Sequence, residues 1–394
     1  MIKSKFKSKF RTSIFRDLQG ASALVIDAIT GTTSVVEDLH QNITGLSPII
    51  GKRQSKPTRG ITGLVYRSVR GITRGVGHTV NFSLAQLDHY FGSAAKRNPE
   101  HDAVRAAING VIGDKLAASG NALAIEPRLI PGANTQSFQA KSHVIVMVHG
   151  LCMNDHQWTR NAHNHGEQLA PLLDAQTAYF IYNSGQSIKQ NGEALAQALE
   201  RLIVSDRLSI TQITLLGHSM GGLVSRRACQ FAQTHQMQWV RLLRNMVFIG
   251  TPHQGAQLER AGQWVERQLN RSPYSAPFMR ITKVRSVGIH DLCHGIPNSL
   301  ADSLPKGVAC YAIAGTHAQD NADQSANTKK SARLLARLKS DGLVTVASAL
   351  GDHKLSAKNL HIPQENRRLI FDTNHFKLLE SVAVTEQLKK WLVH

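Results

Sequence analysis

The chain has 394 residues, 42% hydrophobic and 19% charged, a balance typical of a globular protein rather than a disordered or fibrous one. Its formal net charge is +19, but aromatic residues make up only 6% and no nucleic-acid-binding motif accompanies the charge, which argues against a nucleic-acid partner. The sequence contains no run of 18 or more apolar residues, so no membrane-spanning helix is predicted.

Residues 1–121 are predicted to form a helical, basic N-terminal segment. Apolar residues recur at three- and four-residue steps over 18–39 and again over 61–80, which is the spacing of one helix face. The same criterion predicts a third helix from His101 to Ala118, ending near Gly120.

Two stretches of this segment contain lysine and arginine but no acidic residue, namely 1–16 and 39–87. A helix with one apolar and one basic face can lie on an anionic membrane, so one interpretation is peripheral contact with the inner membrane. The other is that the apolar stripes pack against the rest of the protein.

The first residues resemble the basic start of a signal peptide, but the apolar patch that follows contains Asp27 and lacks a small-residue cleavage site. The four cysteines show no paired spacing, which favours reduced thiols. Both observations favour a cytoplasmic location.

From residue 122 to 394, apolar strands alternate with amphipathic helices. This alternation predicts an α/β fold with a mostly parallel, doubly wound sheet. The strand-containing segments are 144–150, 178–185, 213–222, 245–255, 310–315 and 367–372. Residues 256–305 have little strand character and are predicted to be a cap or lid insertion, or else an excursion with its own small core.

A nucleophile motif lies between the third strand and its helix, at Gly217-His218-Ser219-Met220-Gly221. In this G-x-S-x-G pattern the glycines allow a sharp strand-to-helix turn that exposes the serine hydroxyl. The N-terminus of the following helix favours negative charge beside it. Ser219 is therefore the candidate nucleophile.

A nucleophilic serine also needs an oxyanion site and a base. His149-Gly150-Leu151 follows the first strand, so the backbone N–H groups of Leu151 and Met220 are the candidate oxyanion donors.

Several histidines and acids could complete the site. His375 follows the last strand, whereas His353 and His361 precede that strand, which favours His375 as the base. The acid should follow the strand CYAIAG. The candidates are Asp320, Asp323, Asp341 and Asp352, and the residue pattern alone leaves the choice open.

Six segments together resemble bacterial lipase/esterase-type α/β-hydrolases related to the PGAP1-like (GPI inositol-deacylase-like) group. They are VMVHGLCMNDHQW, YNSGQSIKQNGEALAQALERL, GHSMGGLVSRRAC, FIGTPHQGAQLER, SDGLVTVASALG and TNHFKLLES, within about residues 140–394. The resemblance implies a catalytic triad of Ser219, Asp341 and His375. One departure is Thr345, where the DGLV motif is usually followed by proline; this change could loosen the acid loop.

The resemblance implies a serine hydrolase that cleaves a carboxylic ester with a hydrophobic acyl group. An acyltransferase, an amidase or thioesterase, or a non-catalytic scaffold that binds a membrane or partner remain alternatives. No cofactor is implied. The HNHGE segment (163–167) has no established metal-binding spacing, so no metal site is predicted, and structural roles are expected for His253 and Asp291.

Overall fold

A computed structural model of the chain describes residues 99–132, 135, 137–138, 140–204, 209–256, 286–294, 304–319 and 340–393. Within these residues, a seven-stranded sheet has the order β1-β3-β2-β4-β5-β6-β7. The strands are β1 (Arg128–Pro131), β2 (His143–Val148), β3 (Ala175–Ile181), β4 (Gln212–His218), β5 (Leu243–Ile249), β6 (Ala309–Gly315) and β7 (Arg367–Ile370). All pairings are parallel except that of β1 with β3, so the predicted, mostly parallel sheet is confirmed.

The helices are α1 (Pro99–Ala118), α2 (His165–Leu169), α3 (Ile188–Val204), α4 (Met220–Thr234), α5 (Val287–His294), α6 (Val346–Ala349) and α7 (Val382–Leu392). Successive strand residues point to opposite faces of the sheet. One face packs with α2 and α7 in a core that contains Met147, Leu216 and Trp391. α4 contacts β2, β4 and β5 and packs along α3.

The predicted strands all exist, and five of the six end before the polar residues that were grouped with them, because those residues form loops at the carboxyl edge of the sheet. For example, β4 ends at His218 rather than at Gly222. The edge strand β1 was not predicted. It is four residues long, antiparallel to β3 and without a buried residue, so it shows neither the apolar run nor the alternation that predicts a strand.

The chain divides into two compact units, residues 1–125 with 265–285 and residues 126–264 with 286–394. In the first unit, α1 confirms the predicted helix and is interrupted at Ile112, where φ is −133° and ψ is 17°. Asn109 joins α1 to the segment after it, because its side chain donates to the carbonyl of Leu123 and accepts the N–H of Ile125.

The two stripes within 18–80, both basic blocks and most of the predicted cap insertion at 256–305 lie outside the described residues. The boundary between residues 121 and 122 stays a prediction. None of the helices in the described part of the chain has both the length and the apolar character needed to cross a membrane.

Candidate active site at the carboxyl edge of the sheet

Ser219 occupies the sharp turn between β4 and α4. Its φ is 55° and its ψ is −124°, a strained conformation for a residue with a Cβ. The N–H of Ser219 donates to the carbonyl of Ile249 at 2.9 Å, which fixes the turn against the end of β5. The side chain is largely buried, with 4% of the residue exposed.

The glycines around Ser219 are required by close backbone contacts. A Cβ at Gly221 would lie 2.0 Å from the carbonyl oxygen of Val148, and one at Gly217 would lie 2.6 Å from the backbone nitrogen of Gly222. Distances this short cannot be relieved by a side-chain rotation because the clashing atoms are backbone. The G-x-S-x-G spacing therefore has the steric cause expected from the sequence.

Asp341 and His375 meet although 34 residues separate them. The His375 ring Nδ1 lies 2.7 Å from Asp341 Oδ2, and both side chains are at most 3% exposed. The other carboxylate oxygen accepts the N–H groups of Leu343 and Val344 at 3.0 and 2.8 Å. The backbone also joins the two segments, since His375 N–H donates to the Asp341 carbonyl at 3.0 Å.

His375 and Ser219 flank the same point, the end of β5. A Cβ built on Gly250 would lie 3.2 Å from His375 Nδ1 and Cε1, while the preceding residue, Ile249, accepts the Ser219 N–H. His218, next to Ser219, places its Nε2 3.1 Å from the His375 carbonyl. The Nε2 atom of His375 is buried and has no hydrogen-bond partner among the described residues.

The remaining acid and base candidates occupy other environments. Asp352 forms an ion pair with Arg367, and 43% of its side chain is exposed. His353 accepts the N–H of Leu355, and His361 is exposed. Asp320 and Asp323 lie outside the described residues.

The loop after β2 carries the predicted oxyanion donor Leu151. Neither the Leu151 nor the Met220 N–H has a backbone or side-chain acceptor in the part of the chain that the structure describes. Both residues are almost completely buried, at 1% and 0% exposure. Two such N–H groups can stabilise an oxyanion that forms between them.

Buried histidines surround this site in their neutral form. Burial lowers the pKa of His149 to about 4, because the charged imidazolium loses its hydration. Burial also holds the pKa of His218 well below its usual range, and the neighbouring His375 lowers it further. The His218 ring centre lies 4.8 Å from that of His375.

Thr345, the departure from the DGLV pattern, begins a short helix. It is the N-cap of α6, where its hydroxyl accepts the N–H of Ser348 at 3.3 Å. Its φ of −72° is one that proline would also adopt. The hydroxyl cap thus orders the residue that follows the acid loop without a proline ring.

Asp291 and His253 were expected to have structural roles, and the HNHGE segment was expected not to bind a metal. Asp291 accepts the N–H of Ile188 at the start of α3, at 2.9 Å. His253 lies 3.3 Å from the Arg226 guanidinium and packs edge-on against Phe248. His165, in the HNHGE segment, contacts Thr385 and the Leu378 carbonyl. Among the described residues no cluster of three or more His, Cys, Asp and Glu side chains could hold a metal ion.

The parallel sheet, the strained serine turn between β4 and α4 and the acid and histidine after β6 and β7 define an α/β-hydrolase fold. Residues 139–301 match the family model described as the PGAP1-like alpha/beta domain. This match confirms the predicted resemblance to the PGAP1-like group over that part of the chain. The match includes Ser219 and ends before Asp341 and His375.

Several solved structures show low similarity to the chain. A lipase of Bacillus licheniformis, BlEst2 in its mature form, is 19% identical, with 67% of this chain and 97% of that one covered and a TM-score of 0.44. YbtT, a type II thioesterase of the yersiniabactin pathway, is 17% identical over 66% and 96%, with a TM-score of 0.39. The Pyrococcus furiosus esterase Pf2001 is 15% identical over 64% and 83%, with a TM-score of 0.38. No match was found among curated protein sequences.

Proposed function

We propose that the protein is a serine hydrolase that cleaves a carboxylic ester with a hydrophobic acyl group. The observation that carries the proposal is the buried Asp341–His375 pair beside the strained turn of Ser219. The Nδ1–Oδ2 distance of 2.7 Å is that of a charge-assisted hydrogen bond. A buried carboxylate and imidazole next to a serine on such a turn is the arrangement that activates a hydroxyl.

The hydrogen bond determines which ring nitrogen can act as a base. Because Nδ1–H donates to Asp341, neutral His375 carries its lone pair on Nε2. That atom is buried and has no hydrogen-bond partner among the described residues, so it is available to accept a proton. The Leu343 and Val344 N–H groups hold the carboxylate in the orientation that maintains this tautomer.

In the first step, Ser219 Oγ attacks the ester carbonyl carbon while His375 Nε2 takes the hydroxyl proton. The carbonyl oxygen becomes an oxyanion, which accepts hydrogen bonds from the Leu151 and Met220 N–H groups. The ester C–O bond then breaks, and the departing alcohol takes the proton from His375. An acyl group remains on Ser219.

Water completes the cycle. His375 Nε2 takes a proton from the water as its oxygen attacks the acyl carbon, and the oxyanion forms again at the same N–H groups. The bond between Ser219 Oγ and the acyl carbon breaks, and Oγ recovers the proton. The net reaction converts ester and water into carboxylic acid and alcohol.

The preference for a hydrophobic acyl group is supported by the sequence resemblance to lipases and by the composition of the predicted cap. That region contains Trp264, Tyr274, Phe278 and Met279. A screen of p-nitrophenyl esters of increasing chain length measures the preference. We expect kcat/KM to rise from acetate to longer chains; a maximum at acetate would contradict a hydrophobic pocket.

A fluorophosphonate probe tests the nucleophile. We expect labelling of the wild-type protein on Ser219, and loss of labelling and ester turnover in Ser219→Ala. The matched control is Ser225→Ala, six residues further along in α4, whose buried hydroxyl donates to the Gly221 carbonyl at 2.8 Å. That variant should keep the label, whereas labelling that survives Ser219→Ala would refute the assignment.

The same enzyme assay separates the alternative reactions. Addition of a competing alcohol yields a new ester if the acyl-enzyme transfers to alcohols, as an acyltransferase requires. Parallel assays with an amide and a thioester of the same acyl group compare the leaving groups directly. We expect free acid as the main product and the oxygen ester as the preferred substrate.

A further inference from the structure

Two side chains after β3 contact the loop that contains Leu151, and neither has a role in the steps above. They are Tyr182 and Ser184, in the YNSG stretch, and both are 1% exposed. The Tyr182 hydroxyl donates to the His149 carbonyl at 2.6 Å, and its ring stacks on the His149 ring at 4.2 Å. Ser184 Oγ accepts the N–H of Cys152 at 3.0 Å.

These contacts decide which N–H of the loop remains available. Cys152 N–H is taken by Ser184, and Met153 N–H donates to the Gly150 carbonyl at 3.3 Å. The N–H of Leu151, between Gly150 and Cys152, has no acceptor among the described residues. Cys152 has a φ of +57°, a conformation that is uncommon for a residue with a side chain and needs support from its surroundings.

The YNSG stretch is itself fixed by α5. The Gly288 N–H donates to the Gly185 carbonyl at 2.9 Å, and a Cβ at Gly288 would lie 2.1 Å from the Ser184 carbonyl oxygen. The backbone of α5 therefore lies directly on the residue whose hydroxyl holds Cys152. The loop after β2 thus contacts a stretch that is itself held by α5.

We propose that Ser184 and Tyr182 are positioning residues that hold the loop after β2 so that the Leu151 N–H points to the oxyanion. This inference rests on the proposed hydrolase function. Ser184 acts by taking the neighbouring Cys152 N–H, and Tyr182 by fixing the carbonyl where the loop begins. Neither side chain contacts the substrate in this account.

Ser184→Ala tests the proposal because it removes the acceptor of the Cys152 N–H. A preorganised donor acts mainly in the transition state, so its displacement lowers kcat more than it raises KM. Loss of an entire oxyanion donor lowers kcat by about 10²–10³, and we expect about 10–100-fold for a donor that is only misplaced. Fluorophosphonate labelling should slow by a similar factor because phosphonylation also builds negative charge on oxygen.

Thr214→Val is the matched control, since it also removes a buried hydroxyl. The Thr214 hydroxyl, on β4, lies 3.0 Å from Nε2 of His143 on β2. A structural loss alone should lower the melting temperature of both variants and leave kcat of the folded protein unchanged. If Ser184→Ala does not fold, Tyr182→Phe removes only the hydroxyl bond and keeps the ring stacked on His149. A fall in kcat at nearly constant KM in that variant then supports the proposal.

The outcomes separate this inference from the proposed function. A wild-type protein that neither hydrolyses esters nor takes the label overturns both. An active wild type with wild-type kcat in Ser184→Ala, or in Tyr182→Phe where only that variant folds, overturns the positioning role alone. A fall in kcat of equal size in Thr214→Val would also overturn it.

Discussion

The nucleophile half of the proposed site is held by the backbone, whereas the acid–base half is held by side-chain hydrogen bonds. Around Ser219, only glycine fits at positions 217 and 221, because neighbouring backbone atoms lie within 3 Å of where a Cβ atom would be. Asp341 and His375 come from loops after different strands and meet through a 2.7 Å bond. The first half should therefore be most sensitive to added volume, and the second to altered hydrogen-bonding groups.

Replacement of one Asp341 carboxylate oxygen by an NH2 group should have the largest effect. Asp341→Asn keeps the size of the side chain but can donate to His375 Nδ1, which favours the tautomer with hydrogen on Nε2. We expect kcat to fall about 10³–10⁴-fold while the far-ultraviolet circular dichroism stays unchanged.

Asp352→Asn is the matched control for this change. It breaks a partly exposed ion pair with Arg367, an interaction of small net value, and should leave kcat within about twofold of wild type. An active Asp341→Asn together with an inactive Asp352→Asn would show that the acid is Asp352 instead.

Added volume should damage the nucleophile half instead. In Gly221→Ala the new methyl group meets the Val148 carbonyl oxygen at 2.0 Å, so β2 and α4 must separate. We expect a loss of more than about 3 kcal/mol in the free energy of unfolding, measured by urea denaturation.

Gly120→Ala separates this clash from conformational strain. Gly120 has a φ of +63° but open space where the Cβ would lie, so alanine there meets only the left-handed backbone penalty of about 1–2 kcal/mol. Equal losses in the two variants would show that backbone contact is not what requires Gly221.

The protonation of His149 should add a pH dependence to stability on the nucleophile side. Its pKa is lowered to about 4 in the folded protein and is 6.5 in the unfolded chain, so the unfolded state binds more protons between these values. The contribution of His149 to stability should be complete above pH 6.5 and fall by on the order of 3 kcal/mol as the pH drops to 4.

The His149→Phe variant isolates this contribution because phenylalanine keeps an aromatic ring against Tyr182 and cannot be protonated. Urea titrations at pH 7 and pH 4.5 should show a smaller decrease in the free energy of unfolding than in wild type. An identical decrease would assign the acid sensitivity to other buried groups, such as His165.

The smallest effect on catalysis is expected from the basic N-terminal segment, outside the described residues. Residues 1–16 contain six lysines and arginines and no acid, and each basic residue near an anionic surface contributes roughly 1 kcal/mol to binding. The full chain should co-sediment with anionic but not neutral vesicles, less so in high salt or after deletion of 1–16. If it ignores anionic vesicles at low salt, the interpretation that the apolar stripes pack within the protein is favoured.

Local patterns explain how much of the site could be anticipated. Ser219 was recognisable because the turn, its glycines and the helix after it are contiguous in sequence, so one short segment contains the whole steric requirement. The acid of the proposed triad could not be recognised in this way, since Asp320, Asp323, Asp341 and Asp352 all lie in polar stretches after the strand CYAIAG. Only resemblance favoured Asp341, and the structure then brings it to His375.

The contacts of Tyr182 and Ser184 with the loop after β2 were not predicted from the sequence. Tyr182 and Ser184 end a strand-containing segment as ordinary polar residues, and nothing local indicates that they reach the loop after β2, 32 to 33 residues earlier. The polar ends of neighbouring parallel strands do meet at one edge of a sheet, and that rule could have identified the pair as candidates.

By itself, the sequence determined the alternation of strands and helices and the serine turn, because hydrophobic periodicity and glycine sterics act over a few neighbouring residues. Tertiary structure alone decided which carboxylate meets His375, which N–H of the loop after β2 stays without an acceptor, and that Thr345 caps a helix where proline was expected. These outcomes depend on hydrogen bonds between segments far apart in the chain, and such bonds form only where the packed sheet brings the carboxyl ends of its strands together.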